Sequence, residues 1–159
     1  MRPDILLIDD ERDFVDLLAQ RLEAREHPAI TAYDAAGGIG LMERGALPVV
    51  VLDVNLPDRG GLEVLEEIRQ RWPLTQVVML TGQADVGTAV RGMKLGALDY
   101  LTKPTDVEAL LRVIGRAKAR WRDQADSLRM ADTARMAALG RLAGGVAHEL
   151  LNPVNTIMQ

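Results

Sequence analysis

The 159-residue chain contains no cysteine, so disulfides and thiolate metal sites are excluded. Aromatic residues make up only 3% of it, with a single Phe, so a core has to be built from Leu, Val, Ile, Ala and Met. No apolar run approaches the roughly 20 residues needed to span a bilayer. The N-terminal stretch runs into Asp4, Asp9, Asp10 and Glu11 without the layout of a signal peptide. The expectation is a cytoplasmic protein, or a cytoplasmic piece of something larger. A net charge of −4 argues against general affinity for nucleic acid. Seven bases (Arg112, Arg116, Lys118, Arg120, Arg122, Arg129, Arg135) do face three acids (Asp123, Asp126, Asp132) between residues 112 and 135. No helix-turn-helix pattern accompanies them, and a solvated helix face accounts for such a run.

What is present is alternation. Short apolar runs and amphipathic stretches take turns through the first ~120 residues, as in βα units around a parallel sheet. The predicted strands are Ile5 to Ile8, Ala29 to Tyr33, Val49 to Leu52, Val77 to Leu80, and Leu98 to Leu101. Helical spacing follows each: Phe14, Leu17, Leu18, Arg21 and Leu22; Ala35 to Arg44, weakened by Gly37, Gly38 and Gly40; Leu62, Leu65, Ile68 and Arg69; and Val86 to Leu95. Asn55 to Gly61 is turn chemistry. From Asp106 the pattern is helical with no clear stop until Pro153. The expected fold is therefore α/β, a doubly wound five-stranded parallel sheet with a long C-terminal helical extension. The expected domains are residues 1–120 and a helical segment, 121–159. In that segment Ile114, Trp121, Leu128, Leu139, Leu142 and Val146 suggest pairing with another helix, though the repeat is too irregular to assign heptads throughout.

In a doubly wound sheet, ligands bind beyond the carboxyl ends of the strands. The chain's distinctive polar residues fall at those ends. Asp9 and Asp10 follow the first strand, Asp53 the third, Thr81 the fourth and Lys103 the fifth. Crowded carboxylates repel one another unless a cation sits among them, and oxygen ligands beside a phosphate favour Mg²⁺. Lys103 offers a point charge to a phosphoryl group, and the Thr81 hydroxyl a hydrogen bond. Asp53, placed centrally, is the natural nucleophile. Acids at strand ends often do no more than cap helices, as Asp10 or Asp106 could; a full set at four different strands is poorly explained that way.

Leu7-Ile8-Asp9-Asp10-Glu11, Leu52-Asp53-Val54-Asn55-Leu56-Pro57, Leu80-Thr81-Gly82 and Asp99-Tyr100-Leu101-Thr102-Lys103-Pro104 together resemble a bacterial response-regulator receiver domain over roughly residues 3–120. The resemblance implies a flavodoxin-like sheet of order 2-1-3-4-5. It implies Mg²⁺ held by Asp9, Asp10, Asp53 and the backbone carbonyl of Asn55. It further implies that Asp53 accepts a phosphoryl group from a phosphohistidine donor, that Thr81 and Lys103 bind its oxygens, that Tyr100 is a switch aromatic, and that Lys103-Pro104 is cis. Asn55 and Gln83 would flank the path of the hydrolytic water and tune the lifetime of the aspartyl phosphate.

His148-Glu149-Leu150-Leu151-Asn152-Pro153 is not a zinc motif, since Asn152 stands where a second histidine would be needed. On a helical wheel, Leu142, Val146, Leu150 and Pro153 lie within about 60° of Leu139, while His148 lies about 180° away. The stretch Met136 to Pro153 resembles the phosphoacceptor box of sensor histidine kinases. That resemblance implies a phosphoacceptor His148, an assisting base Glu149 and a dimeric helical bundle. No Gly-rich ATP lid or Asp-x-Gly-x-Gly segment is present, so no ATP binding of that family's kind is expected. The chain reads as a receiver joined to the start of a histidine kinase, cut from a longer hybrid or naturally short, and forming a homodimer through its C-terminal helix. A stand-alone receiver acting as a dimerising switch, and a carrier passing phosphoryl between Asp53 and His148, are the alternatives. His27, ahead of Pro28, reads as a loop residue with no partner motif.

Overall fold

The computed structural model describes residues 2–82 and 85–155, with side chains described as far as residue 142. The elements are β1 (Ile5–Ile8), α1 (Arg12–Ala24), β2 (Ala29–Ala32), α2 (Ala35–Arg44), β3 (Val49–Leu52), α3 (Gly61–Arg71), β4 (Gln76–Thr81), α4 (Val86–Lys94), β5 (Asp99–Thr102) and α5 (Val107–Asn155). All strands are parallel and lie in the order β2-β1-β3-β4-β5. The expected α/β architecture and strand order are those observed.

The continuous apolar runs are the central strands. Every residue of β1, β3 and β4 is buried, because helices cover both faces of the sheet. Strand alternation then divides the core in two. Leu6, Ile8, Val50, Leu52, Val77 and Met79 point to one side, where Ile39 and Met42 of α2 and Val64, Leu65 and Ile68 of α3 meet them. Ile5, Leu7, Val49, Val51 and Leu80 point to the other, against Val15, Leu18 and Leu22 of α1 and Leu110, Ile114 and Ala117 of α5. Each fully buried Leu or Ile contributes about 1.5–3 kcal/mol.

Helix α2 forms despite its glycines, and packing supplies the reason. A Cβ on Gly38 would sit 2.4 Å from Ile8 Cδ1, so the missing side chain lets the helix lie close on β1. The start of the helix is held by Asp34, whose Oδ1 accepts the Gly37 N–H at 2.7 Å. Helix α5 starts in the same way, with Asp106 Oδ1 accepting the Ala109 N–H at 2.6 Å. Its far end runs two residues beyond Pro153. A proline removes one backbone donor, a modest loss so close to a helix end.

The chain divides into two compact units, Met1–Arg122 and Asp123–Gln159. The second is the distal part of α5, on which Leu128, Met130, Met136, Leu139 and Leu142 are all more than half exposed. Among the described residues no helix is long and apolar enough to cross a membrane.

His27 lies in the loop between α1 and β2, as its sequence context suggested, but it does have a partner. Lys118 of α5 places Nζ 2.8 Å from His27 Nδ1 and 2.9 Å from Asp4 Oδ2. The ammonium is a donor only, so it requires a neutral imidazole with Nδ1 as acceptor. Burial and the Lys118 charge push the His27 pKa below its ordinary 6.5, against the weaker pull of Asp4 and Glu26. A histidine whose pKa is lowered by folding disfavours the folded state once the unfolded chain can protonate. Stability from this contact is complete above pH 6.5 and falls as the pH drops below it. His27→Gln should flatten that acid-side slope in denaturation midpoints taken between pH 5 and 7.5 (about the range in which an unperturbed histidine titrates).

Candidate functional site

Strand register brings the polar residues together. Ile8 pairs with Leu52, so Asp9 and Asp53 emerge side by side from β1 and β3. The ladder continues for one more step, with the Asp53 N–H donating to Ile8 O at 3.0 Å and the Asp9 N–H to Ala32 O at 3.0 Å. Thr81 pairs with Thr102, and the Lys103 N–H donates to Thr81 O at 2.7 Å. Because β2 and β3 lie on opposite sides of β1, the site sits where strand order reverses, the usual ligand crevice of such sheets.

Lys103 is the hub. Its Nζ lies 2.7 Å from Asp9 Oδ2, 2.9 Å from Glu11 Oε1 and 3.4 Å from Asp53 Oδ2, and 4.5 Å above the centre of the Phe14 ring. The side chains of Asp9 and Asp53 are only 6% exposed and that of Lys103 10%; Asp10 is exposed. Carboxylate oxygens of Asp9, Asp10 and Asp53 come within 4.8 Å of one another, a grouping able to hold a metal ion. The other Asp53 oxygen, Oδ1, accepts the Asn55 N–H at 3.2 Å. The Lys103-Pro104 bond is cis, as expected.

The electrostatics are one-sided. Burial works against the Lys103 charge, yet hydrogen bonds to Asp9 and Glu11 and the fields of Asp53 and Asp9 hold its pKa well above the ordinary value. Burial also pushes the Asp9 carboxyl up; Lys103 and the Glu11 N–H oppose this, and Asp53 adds to it. Both partners of one ion pair thus move upward. For Asp9 the first cause is burial, to which the neighbouring Asp53 carboxylate adds; for Lys103 it is the set of acids around it, which a divalent cation would also offset.

Thr81 is fully buried at the end of β4, and Tyr100 is half-buried in β5 opposite Met79. Burial raises the Tyr100 pKa, with Asp85 and Asp53 contributing. Gln83 lies outside the described residues, as do the side chains of His148 and Glu149; the backbone of the latter two belongs to α5.

Four neighbours escaped the sequence reading. Glu11 was visible only as part of a motif, and Phe14 fell on the apolar period of α1, which hides its place under the ammonium. Asp58 looked like a turn residue. Its carboxylate accepts the N–H groups of Ala35 and Ala36, each at 2.9 Å, and these bonds lower its pKa. It thereby ties the loop beyond Asp53 to the start of α2. Asp85 caps α4 by accepting from Gly87 N at 3.0 Å and Thr88 Oγ1 at 2.7 Å.

A family model for the response regulator receiver domain matches residues 5–115. The chain belongs to this family. The receiver is 36% identical over 110 residues to the photosynthetic apparatus regulatory protein RegA of Rhodobacter capsulatus, a match covering 69% of this chain and 60% of RegA. It is 39% identical over 110 residues to the acid tolerance regulatory protein ActR of Rhizobium meliloti (strain 1021), covering 69% and 57%. The chain spans about three fifths of the length of these curated relatives (60% and 57%). Among solved structures, the receiver domain of NtrX from Brucella abortus superposes with a TM-score of 0.70 at 36% identity, covering 73% of this chain and 98% of that one. A CheY-like receiver domain protein from Methanospirillum hungatei JF-1 gives 0.74 at 27% identity, covering 78% and 99%. Receiver domains as a family accept phosphoryl groups from histidine kinases or phosphotransfer proteins.

The receiver's loop after β3 returns very close to the nucleophile candidate. A Cβ on Gly61 would lie 2.3 Å from Asp53 O and 2.5 Å from Val54 Cα, both backbone atoms. Gly61→Ala should therefore destabilise the receiver by about 1–3 kcal/mol, read as a lower urea midpoint at unchanged slope.

Proposed function

We propose that Asp53 accepts a phosphoryl group in a Mg²⁺-dependent reaction, and that phosphorylation switches the output of a hybrid histidine kinase through α5. The observation that carries this reading is the convergence of two buried carboxylates and one buried ammonium at the ends of β1, β3 and β5. In the reaction an Asp53 carboxylate oxygen attacks the phosphorus of a phosphohistidine. The new O–P bond forms as the P–N bond breaks, and the departing imidazole nitrogen keeps the electron pair and takes a proton. Asp53 has one oxygen engaged by the Asn55 N–H and the other near Lys103, which orients the carboxylate.

The donor set fits Mg²⁺: three acids supply hard oxygen ligands close together, and the burial of Asp9 beside Asp53 leaves uncompensated negative charge. Asp9, Asp10 and Asp53, with the Asn55 carbonyl, would hold the ion, which supplies positive charge for the phosphoryl oxygens. Lys103 stays protonated and shifts its hydrogen bonds from Asp9 and Glu11 to the phosphoryl group. The Thr81 hydroxyl donates to another of its oxygens, and Tyr100 follows Thr81 as the switch aromatic.

For the distal part of α5 the proposal is a dimeric helix carrying His148 as a second phosphoacceptor, with Glu149 as its base. The support is the motif from Met136 to Pro153 and the exposed apolar side chains before it.

Intact mass after incubation with acetyl phosphate and Mg²⁺ tests the chemistry. One phosphoryl adduct is expected, lost in Asp53→Asn and lost when a chelator removes the metal. An adduct that persists in Asp53→Asn would place the acceptor elsewhere. Separately, Asn55→Ala and Gln83→Ala should change the decay rate of the phosphorylated protein; unchanged decay would remove both residues from the path of the hydrolytic water.

A further inference from the structure

The exposed residues of the second unit hold a pattern that apolar periodicity alone obscures. Leu128, Asp132, Arg135, Leu139 and Leu142 follow one another in steps of four, three, four and three, the alternation of a coiled-coil seam. At about 100° per residue they share one stripe roughly 80° wide. The heptads look irregular in the sequence because one layer of this seam is charged. Leu128, Leu139 and Leu142 are 52%, 56% and 65% exposed. Asp132 and Arg135 are about as open, with Arg135 Nη2 3.4 Å from Asp132 Oδ1.

We propose that this seam pairs antiparallel with the same seam of a second copy of the chain, in a register set by the Asp132–Arg135 layer. The inference rests on the homodimer proposed above and adds what aligns it. When the two seams meet, the leucines leave water and the charged residues lose hydration with them. Such charges are tolerated only where each finds an opposite charge. The layer is self-complementary: brought together, Asp132 of each copy meets Arg135 of the other. That holds when the two helices run antiparallel, so that these two seam positions share a layer; in a parallel pair Asp132 would face Asp132 and Arg135 would face Arg135. A slip of one heptad would instead set all four charges against Ala125 and Leu128 or against Leu139 and Leu142, leaving them unpaired. A single polar layer that costs stability and fixes alignment is a known way of specifying register. The neighbouring Arg129–Asp126 ion pair has no such role, because it lies about 100–160° away from Leu128 around the helix.

The test uses the full chain. Sedimentation equilibrium would compare the unchanged protein, Asp132→Arg, Arg135→Asp, an equal mixture of those two, and Asp126→Arg as a surface control. Each single change makes the layer wholly basic or wholly acidic, so self-association should weaken by about tenfold or more. The mixture should associate again, as a heterodimer whose mass distinguishes it in native mass spectrometry. Asp126→Arg should match the unchanged protein. Single variants that dimerise as before, or a mixture that stays monomeric, would overturn the charged-layer register while leaving dimerisation itself standing. A monomeric unchanged protein would overturn the homodimer reading and this inference with it.

Discussion

The site depends on one imbalance of charge. Asp9 and Asp53 are carried to adjacent positions by the β1–β3 register, and both are buried, so neither can shed its repulsion into water. Lys103 answers part of that repulsion and Glu11 adds to it. What remains is a pocket whose lysine is held firmly charged while its acids stay crowded. The proposed phosphoryl transfer uses both conditions: acids that gain from a divalent cation, and an ammonium ready to meet a phosphoryl group.

The rest of the first unit is organised to keep these groups in place. Three strands buried on both faces fix the height at which each polar side chain leaves the sheet. Close approaches at Gly38 and Gly61 bring α2 against β1 and the β3–α3 loop back onto Asp53. Asp58 then fastens that loop to the start of α2 through two backbone hydrogen bonds. Rigid elements hold these groups, and Tyr100 sits half-buried on the edge strand β5, packed against the α2–α3 side of the core.

The second unit follows a different logic. From Asp126 to Leu142 its side chains are exposed, and a lone helix of this kind gains little from propensity alone. Its apolar positions are separated by charges that make sense on a paired helix and contribute little on an isolated one, where an exposed ion pair is worth under about 1 kcal/mol. In the proposed reading, the receiver supplies the chemistry and the helix supplies the alignment through which it acts.

The fold class, the five strands and the identity of the polar residues at their ends were legible in the primary structure, and the strand order followed from the resemblance to receiver domains. Apolar runs followed by acids leave little choice in an alternating βα chain, because only a sheet covered on both faces buries such runs. The glycines of α2 weakened the case for a helix that forms with the expected bounds, Ala35–Arg44, since helix propensity does not register the space that Ile8 requires. Contacts between elements were not legible at all. Nothing local shows that Lys118 reaches His27, that Phe14 lies beneath Lys103, or that Asp58 caps a helix some twenty residues earlier in the chain. Those pairings belong to the tertiary structure alone, because strand register and helix packing decide which distant side chains meet, and sequence spacing carries no record of that geometry.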